Sequence, residues 1–88
     1  MKIKEGLVLR KVGDSYMVVP VGEMSKNFHG MIKLNSTAAD VWQLVAEGNS
    51  GEQAATKIAD KYDISLVKAL SDVAALIQQM RDNGFIED

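Results

Sequence analysis

The spacing of apolar residues changes once along this chain, near residue 35. Before that point they cluster in short runs; after it they recur every three or four positions. Leu7 to Val12 and Ser15 to Val21 are two β-prone runs separated by Gly13-Asp14. A Gly-X pair in that place predicts a two-residue type II′ hairpin turn, with glycine taking the positive φ. In the second run Tyr16, Val18 and Pro20 share one face, and Met17, Val19 and Val21 the other. Pro20 has no N–H for a ladder and belongs at a strand end or edge. The polar stretch from Gly22 to Gly30 reads as a loop, and Met31 to Leu34 as a third short strand. The first third is therefore expected to form a three-stranded antiparallel meander.

The rest reads as three helices. Asn35, Ser36 and Thr37 each offer a side-chain oxygen to the free N–H groups of a first helical turn, and Thr37 with Asp40 fits a capping box. Ala38, Val41, Trp42 and Val45 then form an apolar stripe, with the single tryptophan at its middle. Glu47-Gly48-Asn49 is a stop, Gly48 suiting a left-handed C′ position. Ser50 and Gln53 predict a capping box for a second helix with the stripe Ala55, Ile58, Ala59 and Tyr62. Asp63 or Ser65 caps a third, lined by Leu66, Leu70, Val73, Ile77 and Met80. Val67, Ala69, Ala74 and Leu76 make that apolar arc wider than burial of one face requires. Gly84 ends the helix, and Phe85-Ile86 are a short tail able to fold back on the core. The expected class is α+β, in the order βββααα.

Composition narrows the function classes. At 88 residues the chain is one domain, residues 1–88, and its 47% hydrophobic content suffices for a small core. Without cysteine there is no disulfide framework, thiolate metal site or cysteine nucleophile. His29, the one histidine, has no second His or Cys with which to build a metal or nucleophile–base site. The glycines at 22 and 30 do not make a phosphate-binding pattern, and the carboxylates are scattered. Asp60, Lys61 and Asp63 around Tyr62 read as a solvated helix end. The expectation is a non-enzyme with no metal and no cofactor. The apolar runs are too short to span a bilayer and the first residues lack a signal-peptide core, so a soluble, cytoplasmic protein is expected.

Two features remain. Met31-Ile32-Lys33-Leu34 is expected at an edge of the meander, with unpaired backbone groups that can template another strand. The wide arc of the third helix has two readings: Phe85 and Ile86 fill it, or it stays open beside this edge, and in the second case the two make a groove suited to an extended peptide. Lys33 has a second reading, as a charge that keeps an edge from aggregating. Two other classes compete. A DNA-binding recognition helix needs several exposed Lys or Arg, whereas the third helix sets Lys68 and Arg81 against Asp72 and Asp82. A structural or assembly subunit is marked by a stable homodimer through the edge strand without peptide affinity.

The run Leu34-Asn35-Ser36-Thr37-Ala38-Ala39-Asp40-Val41-Trp42-Gln43-Leu44 resembles the Leu-Asn-x-Thr-Ala-x-x-x-Trp-x-Leu signature of the PqqD-like family. The likeness continues through Ile58-Ala59-x-x-Tyr62-Asp63-Ile64 and ends at Gly84-Phe85-Ile86; the loop from Gly22 to Gly30 has no counterpart. The resemblance implies a winged-helix-like domain that binds the leader segment of a ribosomally made precursor peptide and presents it to a modifying enzyme, often a radical S-adenosylmethionine protein. It implies strand contacts at Met31, Ile32, Lys33 and Leu34 and helix contacts on one flank of the third helix. Val67, Leu70, Ser71 and Ala74 are the flank favoured here. Any iron–sulfur cluster belongs to the partner. No nucleic acid or membrane is expected as a partner, and the chain is expected as a monomer or weak homodimer.

Overall fold

The computed structural model describes residues 1–26 and 32–87. Five strands and three helices follow in the order β1 (Lys2–Ile3), β2 (Leu7–Val12), β3 (Ser15–Pro20), β4 (Ile32–Leu34), α1 (Ser36–Ala46), α2 (Gly51–Tyr62), α3 (Leu66–Asp82) and β5 (Ile86–Glu87). A 3₁₀ turn at Gly22–Lys26 follows β3. The architecture is α+β. The expected meander is present as an antiparallel sheet in the order β2-β3-β4. The plain βββααα order is incomplete, because β1 and β5 pair antiparallel as a second, two-stranded sheet. Two-residue strands carry no periodicity of their own; only the return of Phe85 and Ile86 to the core brings them together.

Local chemistry explains where each element starts and stops. Val12 pairs with Ser15 across Gly13-Asp14, and Gly13 has φ +62° while Asp14 stays at negative φ, as a type II′ turn needs. Asn35 is the N-cap of α1: its side chain accepts from the Ala38 N–H at 2.8 Å. Thr37 lies inside the helix, so the Thr37–Asp40 capping box does not form. Ser50 and Gln53 do form one, with both reciprocal bonds present. Asp63 closes α2 in the left-handed conformation at φ 52°, which leaves Ser65 to cap α3. Gly6 is required where it stands. Its φ is +89°, and a Cβ there would meet Met24 Cγ at 2.5 Å.

The core lies among the three helices, with α1 packed on the inner face of the three-stranded sheet. Val18, Val41, Trp42, Val45, Ala54, Ala55, Ile58, Ala69, Val73, Ile77, Met80, Phe85 and Ile86 are buried in one cluster. Trp42 is 3% exposed and meets Phe85 edge to face, with ring centroids 5.7 Å apart. The Lys4 N–H donates to the Phe85 carbonyl at 2.9 Å, so the same residue ties the chain's first segment to its last. Leu66 and Leu70, expected on the lining of the third helix, are not in this cluster; they are 48% and 38% exposed, because Ala69 occupies the centre of the buried face instead.

Asp40, Lys61 and Tyr62 form a polar clamp between α1 and α2. The Tyr62 hydroxyl donates to Asp40 Oδ2, and Lys61 Nζ reaches the same oxygen at 2.9 Å. Of the run expected as a solvated helix end, Lys61 and Tyr62 thus fasten two helices together, while Asp60 and Asp63 are exposed as expected. Burial pushes the Asp40 carboxyl up, but the Tyr62 and Lys61 hydrogen bonds and the Lys61 charge outweigh it and hold the group below its usual range.

Trp42→Ala is expected to cost about 3–5 kcal/mol, much of the stability of a domain this small. Urea unfolding measures it, and native Trp42 emission should be that of a water-excluded indole. A second expectation follows from Asp40, whose folded pKa lies below its unfolded one. Its contribution is fully present above about pH 4 and is lost as pH falls through the folded value. The urea midpoint of wild type should therefore drop more steeply on acidification than that of Asp40→Asn.

Candidate functional site

Among the described residues β4 borders β3 alone, which leaves its other side an open edge. Which backbone groups that edge offers follows from the hairpin. A two-residue turn makes Val12–Ser15 a hydrogen-bonded pair, and such pairs alternate along an antiparallel ladder. Ser15, Met17 and Val19 therefore bond toward β2, and Tyr16 and Val18 toward β4. Tyr16 faces Leu34, Met17 faces Lys33 and Val18 faces Ile32. Ile32 and Leu34 thus spend their N–H and C=O groups on β3, and Lys33 directs both of its own outward. Side chains alternate in the same sense. Ile32 and Leu34 are half-buried against the core, and Lys33 is exposed on the opposite face of the sheet.

A cleft begins where β4 ends. Asn35, Thr37 and Ala38 at the start of α1 form one wall, and Asp72, Ala75, Leu76 and Gln79 on α3 the other, around about 370 Å³. Its apolar floor is Ala38, Ala75 and Leu76, with Leu76 packed against the core below. The rim is polar, and its one carboxylate, Asp72, is held by Lys68 at 3.1 Å.

The sequence-predicted residues separate on this frame. Ile32, Lys33 and Leu34 make the edge strand; Met31 and His29 lie outside the described residues. On α3 the buried residues Ala69, Val73, Ile77 and Met80 divide the surface into two flanks. Leu70 and Ala74 line a different hollow, of about 400 Å³, with Gly51 and Glu52 at the start of α2. Val67 is 79% exposed and Ser71 is exposed on the outward side of the helix. The residues that share a cleft with the end of β4 are instead Asp72, Ala75, Leu76 and Gln79. In the sequence Leu76 reads only as one of several residues widening the arc and Asp72 only as a surface charge, and neither marks this flank.

Residues 16–86 match the protein family described as Coenzyme PQQ synthesis protein D (PqqD). The chain belongs to the PqqD family. Two solved structures share its fold. One is TbiB1 in complex with the TbiA(beta) leader peptide, 17% identical, with a TM-score of 0.79 over 99% of this chain and 95% of that one. The other is a lasso peptide synthetase B1 complexed with the leader peptide, 20% identical, with a TM-score of 0.77 over 98% of this chain and 95% of that one. No curated protein matches the chain significantly. The family match starts at Tyr16 and so takes in β3 from its second residue, β4, all three helices and the first residue of β5. Among the described residues of this PqqD-family chain, no group of three or more His, Cys, Asp or Glu is placed to hold a metal ion. No described helix is long and apolar enough to cross a membrane.

Proposed function

We propose that this chain is a non-catalytic, cytoplasmic binding module that captures the leader segment of a ribosomally made precursor peptide and presents it to a modifying enzyme. The observation that carries the reading is the pairing of a free strand edge at Lys33 with an apolar-floored cleft at the end of the same strand. An extended peptide satisfies both at once. Its backbone bonds to the outward N–H and C=O of Lys33, and its inward side chains enter the cleft between Ala38, Ala75 and Leu76. Membership of the PqqD family supports this, as do the two structural neighbours, each a complex with a leader peptide.

Finer parts of the proposal rest on the same family. The sheet and three helices are read as winged-helix-like, with the β2–β3 hairpin as the wing. The modifying enzyme is read as a radical S-adenosylmethionine protein, which would bring its own cluster. On α3 the peptide-facing flank is assigned to Asp72, Ala75, Leu76 and Gln79, in place of the Val67, Leu70, Ser71 and Ala74 flank expected from the sequence.

Two pairs of variants test this against a leader peptide identified by its binding to the wild-type chain. Lys33→Pro removes an N–H that points away from the sheet, so the fold should persist and binding should fall more than tenfold. Ile32→Pro removes a ladder bond to β3 and should destabilise the sheet itself. Ala75→Asp should weaken binding by setting a charge on the cleft floor, while Leu70→Asp should leave it unchanged. Isothermal titration, with thermal melts as the fold control, reads all four. Full affinity in folded Lys33→Pro, or equal losses in Ala75→Asp and Leu70→Asp, would contradict the assignment.

A further inference from the structure

The outer face of the three-stranded sheet, away from the helices, is marked by charge of one sign. Arg10 pairs with Met17 and Met17 with Lys33, so the three side chains form a row straight across the sheet on that face. The described residues sharing the face are Val8, Val12, Ser15 and Val19, none of which is acidic. Neither Arg10 nor Lys33 makes an ion pair among the described residues. Asp14, in the β2–β3 turn, lines the same shallow hollow as Lys33 without pairing with it. The asymmetry extends further. Residues 1–34 hold six Lys or Arg against three Asp or Glu, and residues 35–88 hold four against nine. The strand half is therefore net positive in a chain that is net negative as a whole.

We infer that Lys33 sets the register of the bound peptide by selecting an acidic residue, Asp or Glu, flanked on both sides by apolar residues. This rests on the strand-addition reading above. Lys33 is the described residue of β4 whose backbone faces the free edge, so an added strand must place one residue directly opposite it. That residue's side chain falls on the outer face beside the Lys33 ammonium, whether the peptide runs parallel or antiparallel. It extends the row Arg10–Met17–Lys33 by one position. A carboxylate there gains the Lys33 ammonium as its cross-strand partner, with Asp14 as the described like charge lining the same hollow; a Lys or Arg would be set directly against the Lys33 ammonium. The residues before and after it point to the other face, toward Ile32, Leu34 and the cleft floor at Leu76, where apolar side chains fit. The recognised pattern is thus apolar–acidic–apolar, with the charge fixing which residues enter the cleft. A slip by one residue would turn the acid inward and the apolar pair outward.

A random twelve-residue peptide library selected on the intact chain tests this without knowledge of the natural precursor. Wild type should enrich Asp or Glu at one position with apolar neighbours on both sides, and Lys33→Glu should enrich Lys or Arg at that position. A wild-type-selected peptide should bind Lys33→Glu about five- to tenfold more weakly. Replacing its acidic residue by Gln should weaken binding to wild type and flatten its dependence on salt. The peptide variant keeps the test decisive even if Lys33→Glu folds poorly. Enriched peptides that lose affinity for Lys33→Pro but show no charge preference would overturn this inference and leave strand addition standing. Peptides that bind Lys33→Pro as well as wild type, or no enrichment at all, would overturn both.

Discussion

One residue, Asn35, separates the edge strand from the first helix, and the site depends on that short junction. Its backbone is still extended, with ψ 175°, while its side chain already caps α1. The ladder and the helix therefore change over within a single peptide unit, with no loop to fold back over the strand. Ala38, accepted by that cap, is at once a buried residue and part of the cleft floor. A longer connection would have had to satisfy its own polar groups somewhere near β4, and the free edge is where it would find partners.

The remainder of the fold keeps this junction rigid. Trp42, less than two turns after the cap, is enclosed edge to face by Phe85, which returns from the far end of α3. Asp40 on the neighbouring side of α1 holds Tyr62 and Lys61 of α2. α1 is thus gripped on two sides by contacts distant in sequence, one apolar and one charge-assisted. α3 packs mainly on α2 and meets α1 along one flank only, which leaves the cleft beside β4 open. Holding a cleft open in this way removes part of the ordering cost that a peptide partner would otherwise meet.

Much of this was legible in the sequence, for reasons that differ by element. The hairpin at Gly13-Asp14, the Ser50–Gln53 box and the Gly48 stop are decided within four residues, so local chemistry suffices. The edge position of β4 followed from the chain leaving it at once for a helix. Less was legible where tertiary packing decides. The β1–β5 pairing is built from two-residue strands at opposite ends of the chain. Asp40 reads as a local capping partner for Thr37, yet Tyr62 and Lys61 compete for it across the helix pair. The flank of α3 was ambiguous because its apolar arc is wide in both directions. Leu70 and Ala74 are more apolar as a pair than Asp72 and Gln79, and so drew attention to the flank that faces α2. Which flank meets β4 is set by how α3 docks on α2, a fact no periodicity carries.

A peptide that continues the sheet at Lys33 must bond to its outward amide, and amide hydrogen exchange measures that directly. In the free protein the Lys33 amide should exchange fast, while its neighbours Ile32 and Leu34, bonded to β3, are slow. With a leader peptide at saturation the account predicts that the Lys33 amide becomes protected, with little change at Leu9 and Lys11, whose outward groups lie on the opposite edge of the sheet. Saturating peptide that leaves Lys33 exchanging at its free rate, or that protects Leu9 and Lys11 instead, would contradict it.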